Sequence, residues 1–225
     1  MKPENEFKFV KGFKVKAKKT KIEKRLTEQE MKTVLDSITW ETHKGYCKRN
    51  KAIIQFLLNT GLRVGEFSLL KLSDVLTVSA SVKDVLDIRA EIAKRHKARH
   101  VPLNKAAKEA VTLLLEGRGD ASFSDSLVTR PDKKPLSKRS IQDVVTLACL
   151  KAGITRLMSP HAMRHTFLSR VYERTGNIKT VQELAGHSSS RLTMDLYTHT
   201  TMRNLEDAVK SLDEEAVKPG EDKPS

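Results

Sequence analysis

Two cysteines, Cys47 and Cys149, are all that 225 residues contain, each alone in its segment. That leaves neither a disulfide framework of the kind small secreted folds use nor a Cys-x-x-Cys clip for structural zinc, and both thiols are expected to be reduced. Long apolar stretches are missing too: no run approaches the roughly 20 residues of a spanning helix, and the N-terminus lacks the apolar core of a signal peptide. The chain therefore reads as soluble and cytoplasmic, with no membrane partner. Acidic residues are in deficit, 28 against 42 Lys and Arg, for a formal charge of +14. Such an excess points to a polyanionic partner, nucleic acid first, without deciding the fold. No carboxylate cluster suits Mg²⁺ and no internal repeat is found, so neither metal, cofactor nor solenoid is expected.

What is present is unevenly spread. Residues 1–25 carry ten Lys or Arg against three Glu, half of the net charge, and read as a basic N-terminal arm; 216–225 read as a disordered tail. One main domain, 26–215, lies between. Thr27-Glu28-Gln29-Glu30 is a capping-box start, with Thr27 as N-cap and Glu30 at the third position, and predicts a helix towards Ser37. Further helices are expected over Tyr46–Leu58, Arg63–Leu70, Lys105–Glu116, Ser140–Ala152, Pro160–Arg174, Ile178–Ala185, Leu192–Tyr197 and Thr201–Glu215. Asp74–Val78, Val85–Arg89 and His100–Leu103 are short and rich in Val, Leu and Ile. They predict a small sheet with Lys94–Arg99 as a basic loop between two strands. The expected class is mainly α with a small antiparallel β-sheet, α+β.

His161 and Arg164 stand three apart, which sets imidazole and guanidinium on one helical face. An isolated pair of this kind is more often a surface feature, and His187 or Tyr197 taken singly is more often structural. The combination resembles the tyrosine recombinase (phage integrase) family, whose landmarks follow here in order. Thr60-Gly61-Leu62-Arg63-Val64-Gly65-Glu66 is similar to the family's first-arginine segment. Lys94 to Leu103 (KRHKARHVPL), with Lys94 eight residues ahead of Pro102, is similar to the lysine hairpin of Xer-type members. Ser159 to Phe167 (SPHAMRHTF), Leu184 to Ser189 (LAGHSS) and Thr193 to His199 (TMDLYTH) match the remaining boxes, and the set spans roughly Leu26 to Leu212.

The resemblance implies the catalytic-domain fold of that family. It further implies a site-specific recombinase or integrase, typical of mobile genetic elements, that breaks and rejoins DNA without metal or ATP. In this reading Tyr197 is the nucleophile, and Arg63 and Arg164 clamp the scissile phosphate. Lys94 is the general acid, with Lys97 as its alternative in the same loop; His161 assists as acid/base and His187 donates to the phosphate. Such residue types suit the chemistry. A phenol with a pKa of about 10 is a weak nucleophile at neutral pH, so cations that stabilise phenolate and phosphorane are needed, and the guanidinium fork fits phosphate oxygens better than an ammonium does. Glu66 would orient Arg63 or a histidine, and Arg95, Lys97, Arg99, Lys138 and Arg139 would contact flanking phosphates. The implied partner is double-stranded DNA, held by a homo-tetramer linked through a C-terminal helix whose stripe is Leu205, Ala208, Val209 and Leu212. A nucleoid location in a prokaryote, or a viral source, goes with it. Two other functions compete: a non-catalytic DNA-binding accessory protein of the same fold, and a type IB topoisomerase.

Overall fold

The computed structural model describes residues 25–38, 44–93 and 96–186. Two compact units divide the chain after Arg170. The first unit is built around α2 (Lys44–Thr60), whose second half buries Ala52, Ile53, Ile54, Phe56, Leu57 and Leu58. A helix apolar around most of its circumference has to be covered on several sides. α5 (Lys105–Leu115) supplies the largest of those covers through Ala107, Ala110, Val111 and Leu114, a stripe at i, i+3, i+4, i+7. Gln55 Nε2 donates to the Ala106 carbonyl at 2.8 Å across this contact.

α1 (Glu28–Asp36) begins as its sequence dictates: Thr27 Oγ1 accepts from Glu30 N at 3.2 Å and Glu30 Oε2 accepts from Thr27 N at 2.9 Å. This reciprocal cap satisfies two donors that a helix N-terminus otherwise leaves open. The same start is tied to distant chain. Leu26 N donates to Thr166 Oγ1 of α7 (Pro160–Thr175) at 2.9 Å, and Arg156 holds both Glu30 oxygens at 2.6 Å. α1 packs on α6 (Lys138–Lys151), which starts at the Ser137 cap. In the second unit Asn177 Oδ1 caps α8 (Ile178–Ala185) by accepting from Lys179 N and Thr180 N.

After α2 come two single-turn helices, α3 (Val64–Phe67) and α4 (Leu72–Val75), then the antiparallel pair β1 (Val85–Ile88) and β2 (Arg99–Pro102), with Ile88 opposite Arg99. Stacked rings of Phe56 and Phe67, 5.3 Å apart, pin α3 against α2, an aromatic contact worth about 1 kcal/mol beyond its buried area.

One expected strand is corrected. Asp74–Val78 begins as the end of α4, and only Leu76 forms a bridge, to Val82. The cause is local capping. Asp74 Oδ2 accepts from Lys71 N at 2.8 Å, and Arg89 closes on the same buried carboxylate, so a turn forms where apolar composition alone favours extension. The expected helices Leu192–Tyr197 and Thr201–Glu215, the arm up to residue 24, and the tail lie outside the described residues. No helix among the described residues is long and apolar enough to cross a membrane.

Candidate active site

The chain reverses between α2 and α3 over Gly61, Leu62 and Arg63. Leu62 is fully buried and anchors the turn, and Gly61 sits at φ +60. A Cβ on Gly61 would lie 2.3 Å from Phe167 Cδ1, so a left-handed conformation and a close approach by α7 both call for glycine here. Into the same turn α7 sends Arg164, whose Nη1 donates to the Gly61 carbonyl at 2.6 Å with only 3% of the residue exposed. Two arginines 101 positions apart in sequence are thereby brought to one three-residue turn. His161 stands one turn earlier on α7 and is exposed.

Arg63 caps α3 from an extended conformation, and the buried Glu66 answers it twice. Glu66 Oε2 accepts from Arg63 N at 3.0 Å and Oε1 from Arg63 Nη1 at 3.0 Å. Arg99, at the start of β2, closes on the same carboxylate with a fork: Nη1 to Oε1 at 2.9 Å and Nη2 to Oε2 at 2.7 Å. Burial pushes the Glu66 carboxyl up, but the Arg99 hydrogen bonds and charge, the Arg63 amide and the Arg63 charge outweigh it and hold its pKa at about 2. Side-chain exposure is 2% for Glu66, 9% for Arg99 and 23% for Arg63, so of the three Arg63 faces solvent most. Among the described residues Arg63 Nε and Nη2 carry no partner.

Arg99 was expected beside Lys97 among cations facing DNA, and its guanidinium instead forks onto Glu66. The signal was the strand period of two, which sets Arg99 on the face of the buried Val101 and sends His100 outward. A second fork was not anticipated at all: Arg89, just past β1, holds the buried Asp74 through Nε at 2.7 Å and Nη2 at 3.2 Å. Both ends of the basic loop between the strands are thus anchored by an arginine on a buried acid.

Lys97 is exposed in that loop, after His96 at φ +52. Lys138 and Arg139 are exposed at the start of α6, where Arg139 Nε lies 3.1 Å from Asp143. Lys138 reaches back across α3: a Cβ on Gly65 would meet its Cε at 3.4 Å and Nζ at 3.5 Å, so its ammonium lies against the turn that carries Arg63 and Glu66. Lys94, Arg95, His187 and Tyr197 lie outside the described residues. Among the described residues no group of three His, Cys, Asp or Glu side chains is placed to hold a metal ion.

Residues 24–204 match the model of the phage integrase family. Tyrosine recombinase XerC of Listeria innocua is 35% identical over 176 residues, covering 76% of this chain and 56% of the relative. Tyrosine recombinase XerD of Halalkalibacterium halodurans is 30% identical over 191 residues, covering 83% and 60%. The chain spans little more than half the length of these curated relatives. Among solved structures, the XerA recombinase superposes with a TM-score of 0.66 at 27% identity, over 82% of this chain and 62% of the other. The Tn1549 transposon integrase in complex with transposon right end DNA gives 0.69 at 20% identity, over 92% and 71%, a likeness of fold.

Proposed function

Because this chain belongs to the phage integrase family of tyrosine recombinases, we propose that it is a site-specific recombinase, cleaving and rejoining double-stranded DNA through a 3′-phosphotyrosine intermediate. The observation that carries this reading is the convergence of Arg164 on the Gly61 turn, two residues ahead of Arg63, which sets a buried and a half-buried guanidinium at one place. Two such forks suit the two non-bridging oxygens of a phosphodiester.

In the proposed reaction Tyr197 Oη attacks phosphorus, the P–O5′ bond breaks, and the charge that builds on the equatorial oxygens falls to Arg63 and Arg164. His161 takes the phenolic proton, His187 donates to a non-bridging oxygen, and Lys94, or Lys97 in the same loop, protonates the leaving 5′-oxygen. A 5′-hydroxyl from the same or another strand then attacks the phosphotyrosine and releases Tyr197. The phosphoester energy is kept throughout, so no ATP is consumed. Arg95, Lys97, Lys138 and Arg139 hold flanking phosphates. Residues 26–215 form the catalytic domain and 1–25 a DNA-contacting arm. A C-terminal helix carrying Leu205, Ala208, Val209 and Leu212 links four protomers on synapsed DNA at the nucleoid.

Covalent trapping tests the reading. Wild type and Tyr197→Phe are incubated with nicked suicide duplexes carrying the junction of the source element, and adducts are resolved on a denaturing gel. An adduct that only the Phe variant loses is the expected result. DNA binding without any adduct on a duplex that contains the site would point to an accessory protein, and relaxed circles from a monomer to a topoisomerase.

A further inference from the structure

Glu66 presents an electrostatic problem to a phosphate-binding arginine. A buried carboxylate three residues from Arg63 is a permanent competitor for its guanidinium: at full contact it would neutralise that charge and occupy the fork meant for the ligand. The arrangement around it is asymmetric. Of the four hydrogen bonds the Glu66 carboxylate accepts among the described residues, two come from the Arg99 fork, one from the Arg63 amide and one from Arg63 Nη1. Arg99 is the more enclosed of the two arginines, with 9% of its side chain exposed against 23% for Arg63. Two guanidinium charges and one carboxylate leave the cluster at +1, and the outward member is Arg63.

Resting on the recombinase reading above, we infer that Arg99 is a positioning residue for the phosphate clamp: it serves as a counter-ion of Glu66, so that Arg63 is aimed by Glu66 without being neutralised by it. Glu66 fixes Arg63 through one side-chain and one backbone hydrogen bond, and the Arg99 fork meets the rest of the carboxylate's demand. Without Arg99 the buried anion has Arg63 as its remaining bonded cation, the cluster falls to zero net charge, and Arg63 folds back onto Glu66. The β2 strand thus contributes to phosphate binding through a residue that faces inward.

Rescue of the defect by neutralising the acid as well separates this role from simple structural support. The full chain is compared as wild type, Arg99→Met, Glu66→Gln, and the double variant, in single-turnover adduct formation on the nicked duplex, with circular dichroism confirming the fold. Arg99→Met is expected to slow cleavage roughly 10- to 100-fold, less than the roughly 100- to 1000-fold that follows loss of a donor touching the transition state, because Arg99 acts through Arg63. Adding Glu66→Gln to it removes the competitor together with its partner and is expected to restore at least about 10-fold of that loss. If wild type forms the adduct but Arg99→Met matches it, or the double variant is as slow as Arg99→Met or slower, the inference is overturned and the recombinase reading stands. If wild type forms no adduct, the recombinase reading falls and this inference with it. Should Arg99→Met not fold, Glu66→Gln is set against the double variant: rates within about 10-fold support the counter-ion role, and a dead double variant overturns it.

Discussion

Substituting Gly61 by alanine perturbs the turn on which both arginines depend, and two separable terms set the size of the effect. The first is conformational: φ is +60 at Gly61, and an L-residue in the left-handed region costs about 1–2 kcal/mol. The second is steric, because the new methyl would stand 2.3 Å from Phe167 Cδ1; overpacking of this kind costs about 1–3 kcal/mol when a ring and its backbone have to move. Gly117 isolates the first term. It has φ +75 and nothing within 4 Å of a Cβ, so Gly117→Ala carries the conformational cost alone. Urea denaturation followed by circular dichroism is expected to show a loss of roughly 1–2 kcal/mol for Gly117→Ala and roughly 2–5 for Gly61→Ala. At about 2–4 °C per kcal/mol for a chain of this size, the Tm of Gly61→Ala falls further than that of Gly117→Ala by several degrees. Phe167 follows Arg164 by three residues on α7, so displacing its ring also displaces the Arg164 grip on Gly61 O. Cleavage by Gly61→Ala is expected to fall roughly 10- to 100-fold, the scale of an ångström-level misplacement, while Gly117→Ala cleaves like wild type once folded. Equal stability losses for the two alanine variants would refute the packing argument.

Glu66 also predicts acid sensitivity. A carboxyl held at about 2 rather than 4.5 contributes folded-state stability that is fully present above its unfolded pKa. That contribution, roughly 3 kcal/mol, is lost progressively as pH falls from about 4.5 towards 2. In wild type the unfolding free energy should decline over this window, and in Glu66→Gln the decline should be shallower by that amount; identical profiles would contradict it. Burial pushes the Cys149 thiol up to about 12, with Glu30 adding to the rise and Arg156 opposing it. Iodoacetamide at pH 8 is therefore expected to spare Cys149 in the native protein and label it only in denaturant, which peptide mass spectrometry reads directly. Lys138, beside the Arg63 turn, and its neighbour Arg139 stand exposed at the start of α6, and removing both charges should reduce the slope of log affinity for duplex DNA against log salt by about 2. An unchanged slope would place α6 off the DNA.

What sequence made legible was whatever a few neighbouring residues decide among themselves. Thr27 and Glu30 cap α1 as their spacing requires, and the helices expected from Lys105 and from Ile178 begin at those residues. The Asp74–Val78 strand failed because its apolar composition hid a local cap, Asp74 on the Lys71 amide, which a guanidinium fifteen residues away, on Arg89, then reinforces. Arg99 is the more instructive case, because its neighbours Arg95, Lys97 and His100 make the loop look like one solvated basic surface. Local composition cannot distinguish a cation facing a ligand from one that neutralises a buried acid, and the acid here lies thirty-three residues back. The alternation with Val101 was the available signal. Arg63, Arg89, Arg99 and Arg156 all engage carboxylates in the folded chain. The excess of 42 cations over 28 anions therefore says little about the field at any one site. At the Arg63 turn that field is set by a local difference, two guanidinium groups less one carboxylate, with Arg164 beside them. A site of this design, if it binds the proposed phosphate, depends as much on how its buried acid is satisfied as on how many cations surround it.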